Sequence, residues 1–203
     1  MLKSHWENIY DTKQLQEVSW YQPTPTTSLA LIEMLNLSSE AKIIDIGGGD
    51  SLLVDNLLQH GFNDLSVLDI SGKALERAQH RLGSEYSEKV KWIEADISTF
   101  VPDRVYDIWH DRAVFHFLTD SDSVAHYVAI SSAHIKKGGY LIMATFSDDG
   151  PYKCSGLPIQ QYNEESLPAV FAENFETERV FKEIHITPTG IEQNFVFAVM
   201  RRE

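Results

Sequence analysis

One cysteine, Cys154, stands in a chain of 203 residues. That excludes an internal disulfide framework and accords with a reducing compartment. Glycine (11) and proline (7) are too scarce for a fibrous or low-complexity chain. Nowhere do 18 uncharged apolar residues run together, so no membrane span is expected. The opening MLKSHWENIYDTK has no basic segment leading into an apolar one, so no secretory signal is read there and a cytoplasmic location is expected. Basic residues are also few, 17 against 30 acidic, for a formal charge of −13. Such a field repels phosphate backbones and argues against a general nucleic-acid binder. A basic protein surface or a neutral small molecule is easier to accept. The eight histidines are dispersed and neither HExxH nor CxxC occurs, so no metal site is expected. No apolar stripe marks a subunit interface, which leaves the oligomeric state unread.

Hydrophobic residues make up 43% of the chain, enough for a packed core. Residues 1–27 read as an amino-terminal arm or lid rich in aromatics: Trp6, Tyr10, Trp20 and Tyr21. Ser28 is placed to cap a helix running to about Leu37. Strands are predicted at Lys42–Ile46, Leu65–Leu68, Val90–Glu94, Val105–Trp109 and Tyr140–Thr145. Helices are expected from Asp50 or Ser51, over Ser71–Leu82 and over Ser121–His134, the last ended by Lys136-Lys137-Gly138-Gly139. Residues 147–163 read as a long polar loop, followed by a helix over Glu164–Ala172. Arg179–Ile186 and Gln193–Val199 alternate with period two around Thr187-Pro188-Thr189-Gly190, which predicts a long hairpin. In this alternation His185 is assigned to a solvent-exposed sheet face. Short parallel strands joined by crossover helices set the class as α/β, doubly wound in the Rossmann-like manner, in one domain.

Asp45-Ile46-Gly47-Gly48-Gly49 joins a predicted strand to a predicted helix, and glycine lets a ligand sit against bare backbone. A dinucleotide fingerprint wants a further glycine three residues beyond Gly49, where Leu52 stands. Asp45 beside the turn suits a cationic or polar ligand better than a pyrophosphate, and S-adenosylmethionine has an amino group, a sulfonium and no phosphate. Asp69 ends the second strand, 24 residues after Asp45, where a carboxylate can accept both hydrogens of a ribose diol. Asp96 ends the third strand, positioned to orient an adenine edge with the Ile97 backbone beside it, and Ile70 offers an apolar face. Each acid alone is also explained as a helix or turn cap. Three at successive strand ends converge on one crevice.

On these residues the sequence resembles the class I S-adenosylmethionine-dependent methyltransferases, most clearly over residues 40–146. The resemblance implies a seven-stranded sheet ending in an antiparallel strand, and a cofactor held by Asp45, Gly47, Gly48, Gly49, Asp69 and Asp96; Ile70, Ile97 and, from the arm, Tyr21 are the further residues expected to contact it. The product would be S-adenosylhomocysteine. The segments WENIYDTKQLQEVSWYQPTPTTSL, WHDRAVFHFL and GPYKCSGLPIQQY are similar to a small bacterial-type subgroup related to the enzyme that methylates a lysine of citrate synthase.

In that family the segment after the fourth strand faces the transferred methyl group. His110 or His116 is a candidate proton acceptor there, and Asp111 is a candidate to orient a histidine or an amine. The structural alternative is an Asp111–Arg112 ion pair with His116 packed beside Phe115. The 147–163 loop is expected to shape the acceptor pocket, with Cys154 an incidental thiol. The acceptor is expected to be a protein lysine or a small molecule. Two other readings stand beside this one: a methyltransferase-like binding module without turnover, and an NAD-dependent oxidoreductase, against which Leu52 argues.

Overall fold

The computed structural model describes residues 2–203. Seven strands form one sheet: β1 (Lys42–Ile46), β2 (Asp64–Asp69), β3 (Val90–Glu94), β4 (Tyr106–Arg112), β5 (Ile135–Phe146), β8 (Phe175–Ile186) and β9 (Glu192–Arg202). Their order is β3-β2-β1-β4-β5-β9-β8. The first five are parallel, while β9 runs antiparallel to both β5 and β8. A two-residue hairpin, β6 (Lys153–Cys154) with β7 (Leu157–Pro158), stands apart from the sheet. The helices are α1 (Leu2–Thr12), α2 (Thr26–Met34), α3 (Leu53–Gln59), α4 (Gly72–Ser87), α5 (Ser121–His134) and α6 (Ser166–Phe171).

Parallel strands need crossover helices, and these cover both faces of the sheet. Successive strand residues therefore enter opposite cores. Ile43, Val67 and Ile142 pack with Leu29 and Ile32 of α2, Leu57 of α3 and Leu75 of α4. Ile44, Leu68, Leu141 and Met143 pack with Tyr127 and Ile130 of α5 and Phe171 of α6. That two-sided burial is why Leu141–Ala144 of β5 is apolar at every position.

Several boundaries differ from the sequence reading. Helix α2 starts at Thr26, so Ser28 lies inside it, and α3 starts at Leu53. Strand β4 runs on to Arg112 because His110 and Asp111 pair with Asp45 and Ile46 on one side and with Ile142 and Met143 on the other. His110, Asp111 and Arg112 thus belong to the strand and do not follow it. Lys136–Gly139 begins β5 and does not end α5 as a loop. The 147–163 loop contains the small hairpin, whose turn residues Ser155 and Gly156 both have positive φ (50° and 80°), the two-residue geometry that matches strand twist. His185 is buried and Ile184 and Ile186 are exposed, the reverse of the expected alternation. The imidazole Nε2 donates to the Ser19 carbonyl at 2.7 Å, pinning the arm to the hairpin.

Strand order reverses between β1 and β4. The crevice beyond their carboxyl ends is where open α/β sheets bind ligands. The arm closes it from outside. Helix α1 buries Ile9 and Tyr10 and is strapped to α4: Glu7 accepts from the Gly72 amide, Lys73 pairs with Asp11, and Arg77 donates to the carbonyls of Tyr10 and Lys13. A cation at those last carbonyls complements the helix dipole.

Candidate active site

Two neighbouring cavities open at this crevice. The larger, about 210 Å³, has Asp69, Ile70, Asp96 and Ile97 on its strand-end side. Trp6, Tyr10 and Trp20 of the arm roof it, and Phe117 and Cys154 complete the wall. The smaller, about 50 Å³, is bounded by Tyr21, Ser28, Asp45, Gly48 and His110. Gly47, Trp20 and Arg112 line both.

The glycine turn is shaped for close backbone approach. Gly47 has φ +65°, and a methyl group there would run into Val114. Gly49 has φ +49°, and a methyl there would lie 2.8 Å from the Tyr10 hydroxyl and 2.9 Å from Asp69 Oδ2. Both positions favour glycine by conformation and by space. The Gly48 amide donates to the Leu68 carbonyl at 3.1 Å, holding the turn against β2.

Asp69 is buried at the end of β2, and its Oδ1 accepts from the Ser71 amide at 2.8 Å, just where Ser71 caps α4. Burial pushes its carboxyl up to about 7; the Ser71 amide opposes that shift, and nearby Asp50 and Asp45 add to it. Asp50, itself raised by burial, is held by Arg77 at 2.8 Å. Asp96 is partly exposed to the larger cavity, and its Oδ1 accepts from the amide and hydroxyl of Ser98 at 2.9 and 2.7 Å.

Asp45 faces the smaller cavity, so the three acids do not line one space. Asp69 and Asp96 share the larger cavity, and Asp45 lies across the Gly47 wall. His110 Nδ1 donates to Asp45 Oδ1 at 2.7 Å, because a carboxylate only accepts, and Nε2 is hydrogen-bonded to the Ser28 hydroxyl at 2.9 Å. All three side chains are buried.

The other two proton-handling candidates are placed differently from the expectation. Asp111 is fully buried and lines neither cavity. Oδ1 accepts from the amides of Val114 and Phe115 at 2.9 and 3.3 Å, and Oδ2 accepts from the Tyr127 hydroxyl at 2.7 Å, which in turn accepts from Trp109. Burial raises its carboxyl to about 6, against these donors. The geometry makes Asp111 a cap for the turn at Phe115–Phe117, and it forms no ion pair with Arg112. His116 also lines neither cavity. It is fully buried between Phe117 and Phe146, its Nδ1 accepts from the Phe146 amide at 3.3 Å, and its Nε2 has no partner. Burial, aided by Arg112, drives its pKa down to about 3. Cys154 is buried at the cavity wall, and burial lifts its thiol to about 11, which removes it as a ready nucleophile.

Ser28, Val114 and Arg112 are site residues whose roles the sequence reading did not assign. Ser28 was a plausible helix cap, and only the packing of α2 over β4 brings it to His110. Ala113, between Arg112 and Val114, has φ 74°. This left-handed residue turns the chain so that Val114 meets Gly47, and no sequence pattern announces it.

A family model described as a methyltransferase domain matches residues 37–194. EEF1A lysine methyltransferase 2 of Danio rerio is 22% identical over 215 residues, spanning 99% of this chain and 86% of that protein. Among solved structures, the N-methyltransferase NodS of Bradyrhizobium japonicum WM9, in complex with S-adenosyl-L-homocysteine, superposes with a TM-score of 0.70 at 16% identity, covering 97% of each chain. The 1,6-didemethyltoxoflavin-N1-methyltransferase of Burkholderia thailandensis, bound to 1,6-didemethyltoxoflavin and S-adenosylhomocysteine, superposes with a TM-score of 0.73 at 16% identity, covering 100% of this chain and 88% of that one.

Proposed function

The chain belongs to the methyltransferase-domain family, and we propose on that premise that it transfers a methyl group from S-adenosylmethionine to an amine nitrogen, of a protein lysine or of a small molecule. The observation supporting the cofactor site is that Asp69 and Asp96 open into one cavity beside a glycine turn that tolerates no side chain. S-adenosylmethionine, when bound, supplies an electrophilic methyl on a sulfonium. Asp69 Oδ2 accepts from a ribose diol. Asp96 and the Ile97 backbone receive the adenine edge, while Ile70 packs on the ring. Tyr21 and Asp45 serve the amino-acid end through the smaller cavity. His110 and Ser28 hold Asp45 in place and so act as positioning residues.

The amine reading rests on how the proton-handling candidates are held: Asp69 and Asp96 are assigned to the cofactor, and Asp120 at the rim of the larger cavity caps α5 through the Ser123 amide. Both ring nitrogens of His110 are engaged, His116 and Asp111 stand outside the linings, and the Cys154 thiol is held protonated. A hydroxyl acceptor requires a base within hydrogen-bond reach. An alkyl ammonium such as lysine first loses a proton to solvent; the neutral amine then attacks the methyl carbon with its own lone pair as the carbon–sulfur bond breaks, and needs only alignment. Trp6, Trp20 and Phe117 stand edge to face around the larger cavity, and aromatic faces suit a methylammonium product. The net charge of −13 suits a basic protein acceptor. No helix among the described residues is long and apolar enough to cross a membrane.

The test is incubation of the protein and a cell lysate with methyl-labelled S-adenosylmethionine, followed by separation of macromolecules from extractable metabolites. Label released by acid hydrolysis as an N-methylated amine is expected in either fraction; N-methyllysine from a protein band favours a lysine-type acceptor, and an O-methyl or S-methyl product would overturn the amine reading. Tight binding with label in neither fraction would favour the binding module without turnover.

A further inference from the structure

Strand β8 runs in the same direction as β5, because β9 is antiparallel to both. Its carboxyl end therefore points to the end of the sheet where the cavities open. The β5–β9 ladder stops at Phe146 opposite Phe195, while β8 and β9 continue through Ile184 with Asn194, His185 with Gln193 and Ile186 with Glu192. The hairpin tip thus projects past the end of β5, and its two faces differ. One face carries buried His185, whose bond to the Ser19 carbonyl holds the arm next to Trp20, a residue that lines both cavities. Alternation puts Ile184 and Ile186 together on the other face, where they are 57% and 55% exposed. Ile191, at the turn, is 62% exposed.

The loop after β5 adjoins the isoleucine face. Lys182, on the same side of β8, pairs with Asp148 at 2.7 Å and Asp149 at 3.3 Å. Asn194, opposite Ile184, donates to the Asp149 carbonyl at 3.4 Å. Tyr152, 78% exposed, follows in that loop just before cavity-lining Cys154. Asn163 donates to Asp148 at 3.4 Å and brings Glu164 and Glu165 up beside it. The exposed acids Asp148, Asp149, Glu164, Glu165 and Glu192 thus outnumber Lys153 and Lys182 around the tip. A lone exposed isoleucine is ordinary, but a group of them at a projecting tip with a charged rim has the make-up of a recognition surface.

We infer that this tip is the docking face for a protein acceptor, a folded partner whose contact patch presents an aliphatic anchor flanked by lysine and arginine. The isoleucines take the anchor, and the negative rim steers and orients the basic flank. Ile184 and Ile186 line neither cavity, so they serve neither a bound cofactor nor a small acceptor held inside. Trp20, next to the residue that His185 holds behind the tip, marks where the docked partner's lysine enters. This rests on the methyl transfer proposed above and narrows its acceptor to a protein: the tip recognises the partner, and the cavity aligns the amine.

The test follows methyl label from S-adenosylmethionine into the protein bands of a cell lysate supplied at limiting concentration. Ile184→Thr/Ile186→Thr keeps β-branched side chains on the strand and makes the face polar. Glu192→Lys reverses one charge of the rim. The double variant is expected to label the bands about tenfold more slowly than the parent. Glu192→Lys should be about threefold slower at low salt, with the difference shrinking as salt is raised. Both should bind S-adenosylhomocysteine within about twofold of the parent by calorimetry. Val101→Thr, an exposed site in the β3–β4 connection, should label as the parent does. Should the double variant not fold, Glu192→Lys carries the comparison. Undiminished band labelling in the variants, or an equal fall in Val101→Thr, overturns the docking face. Label confined to extractable metabolites overturns the protein acceptor and leaves methyl transfer standing. Self-association of the parent in light scattering that the double variant abolishes would assign the face to a second copy of this chain and overturn the inference. A parent that labels neither fraction would overturn the proposed transfer itself.

Discussion

Asp45 and His110 face each other on neighbouring parallel strands, register partners in the sheet as well as hydrogen-bond partners at 2.7 Å. The bond crosses the topological switch point, so the strand that ends in the glycine turn is tied by a side chain to the strand that carries Arg112. His110→Phe strands a buried carboxylate. Unfolding stability is expected to fall by about 1.5–3 kcal/mol in urea titrations, and Ser28→Ala by less, about 1 kcal/mol. Equal stability of His110→Phe and the parent would show that Asp45 does not depend on the imidazole.

Asp69 ties ligand affinity to pH. Its carboxyl titrates at about 7 in the folded protein and near 4 when unfolded. A raised folded pKa means its stabilising contribution is full below about 4 and is lost as pH rises through about 7. The ionised form is the one that accepts both diol hydrogens. Affinity for S-adenosylhomocysteine should therefore weaken by about tenfold per pH unit below about 7 and level off above it. Asp69→Asn should be more stable than the parent at pH 8, with the gap closing toward pH 4, yet bind more weakly. Affinity flat from pH 5 to 8 would count against this role.

Gly47 and Val114 form a testable pair across the turn. Gly47→Ala places its methyl against Val114 and also keeps a left-handed backbone. A loss of about 2–4 kcal/mol is expected, of which about 1–2 kcal/mol is conformational. Adding Val114→Ala should restore the steric part and leave the conformational part. Purely additive losses in the double-mutant cycle would mean that the two side chains do not meet.

His116 should matter to acid stability and not to turnover. Its pKa drops from about 6.5 unfolded to about 3 folded. The stability it contributes is present above about 6.5 and lost as pH falls toward about 3, by up to about 1.4 kcal/mol per pH unit. His116→Leu removes that slope, so its stability relative to the parent should rise steadily below pH 6.5. Its rate should stay within about threefold, because the ring lines neither cavity. Loss of the acid limb of the pH–rate profile in this variant would identify His116 as a base after all.

The first strands were legible because short runs rich in apolar residues are each followed or ended by a chemically marked residue: Gly47 after β1, Asp69 at the end of β2, Asp96 just beyond β3. What was not legible depended on partners far along the chain. Nothing local says that β4 continues through His110 to Arg112, since polar residues at a strand end look like a loop until Asp45 and Met143 are known to flank them. His185 was assigned to solvent because its isoleucine neighbours looked like the buried set, and the Ser19 carbonyl that reverses the faces lies 166 residues away. Asp45, Asp69 and Asp96 were recognisable as strand-end acids, but sequence could not show the Gly47 partition that separates Asp45 from the other two. Asp111 and His116 were singled out for their chemistry, and the fold buries both outside the two cavity linings.

Strand β9 lies between β5 and β8 although it is the last of the seven to be made. During synthesis the outer edge of β5 therefore stays open, and β8 has no sheet to join, until Glu192–Arg202 leaves the ribosome. The nascent chain carries an unpaired edge over Tyr140–Phe146 through that interval, the kind of surface that chaperones shield and that seeds association. Loss of the final eleven-residue strand would do more than shorten the protein: it would detach β8 and uncover the flank of the strand that supports the Arg112 wall.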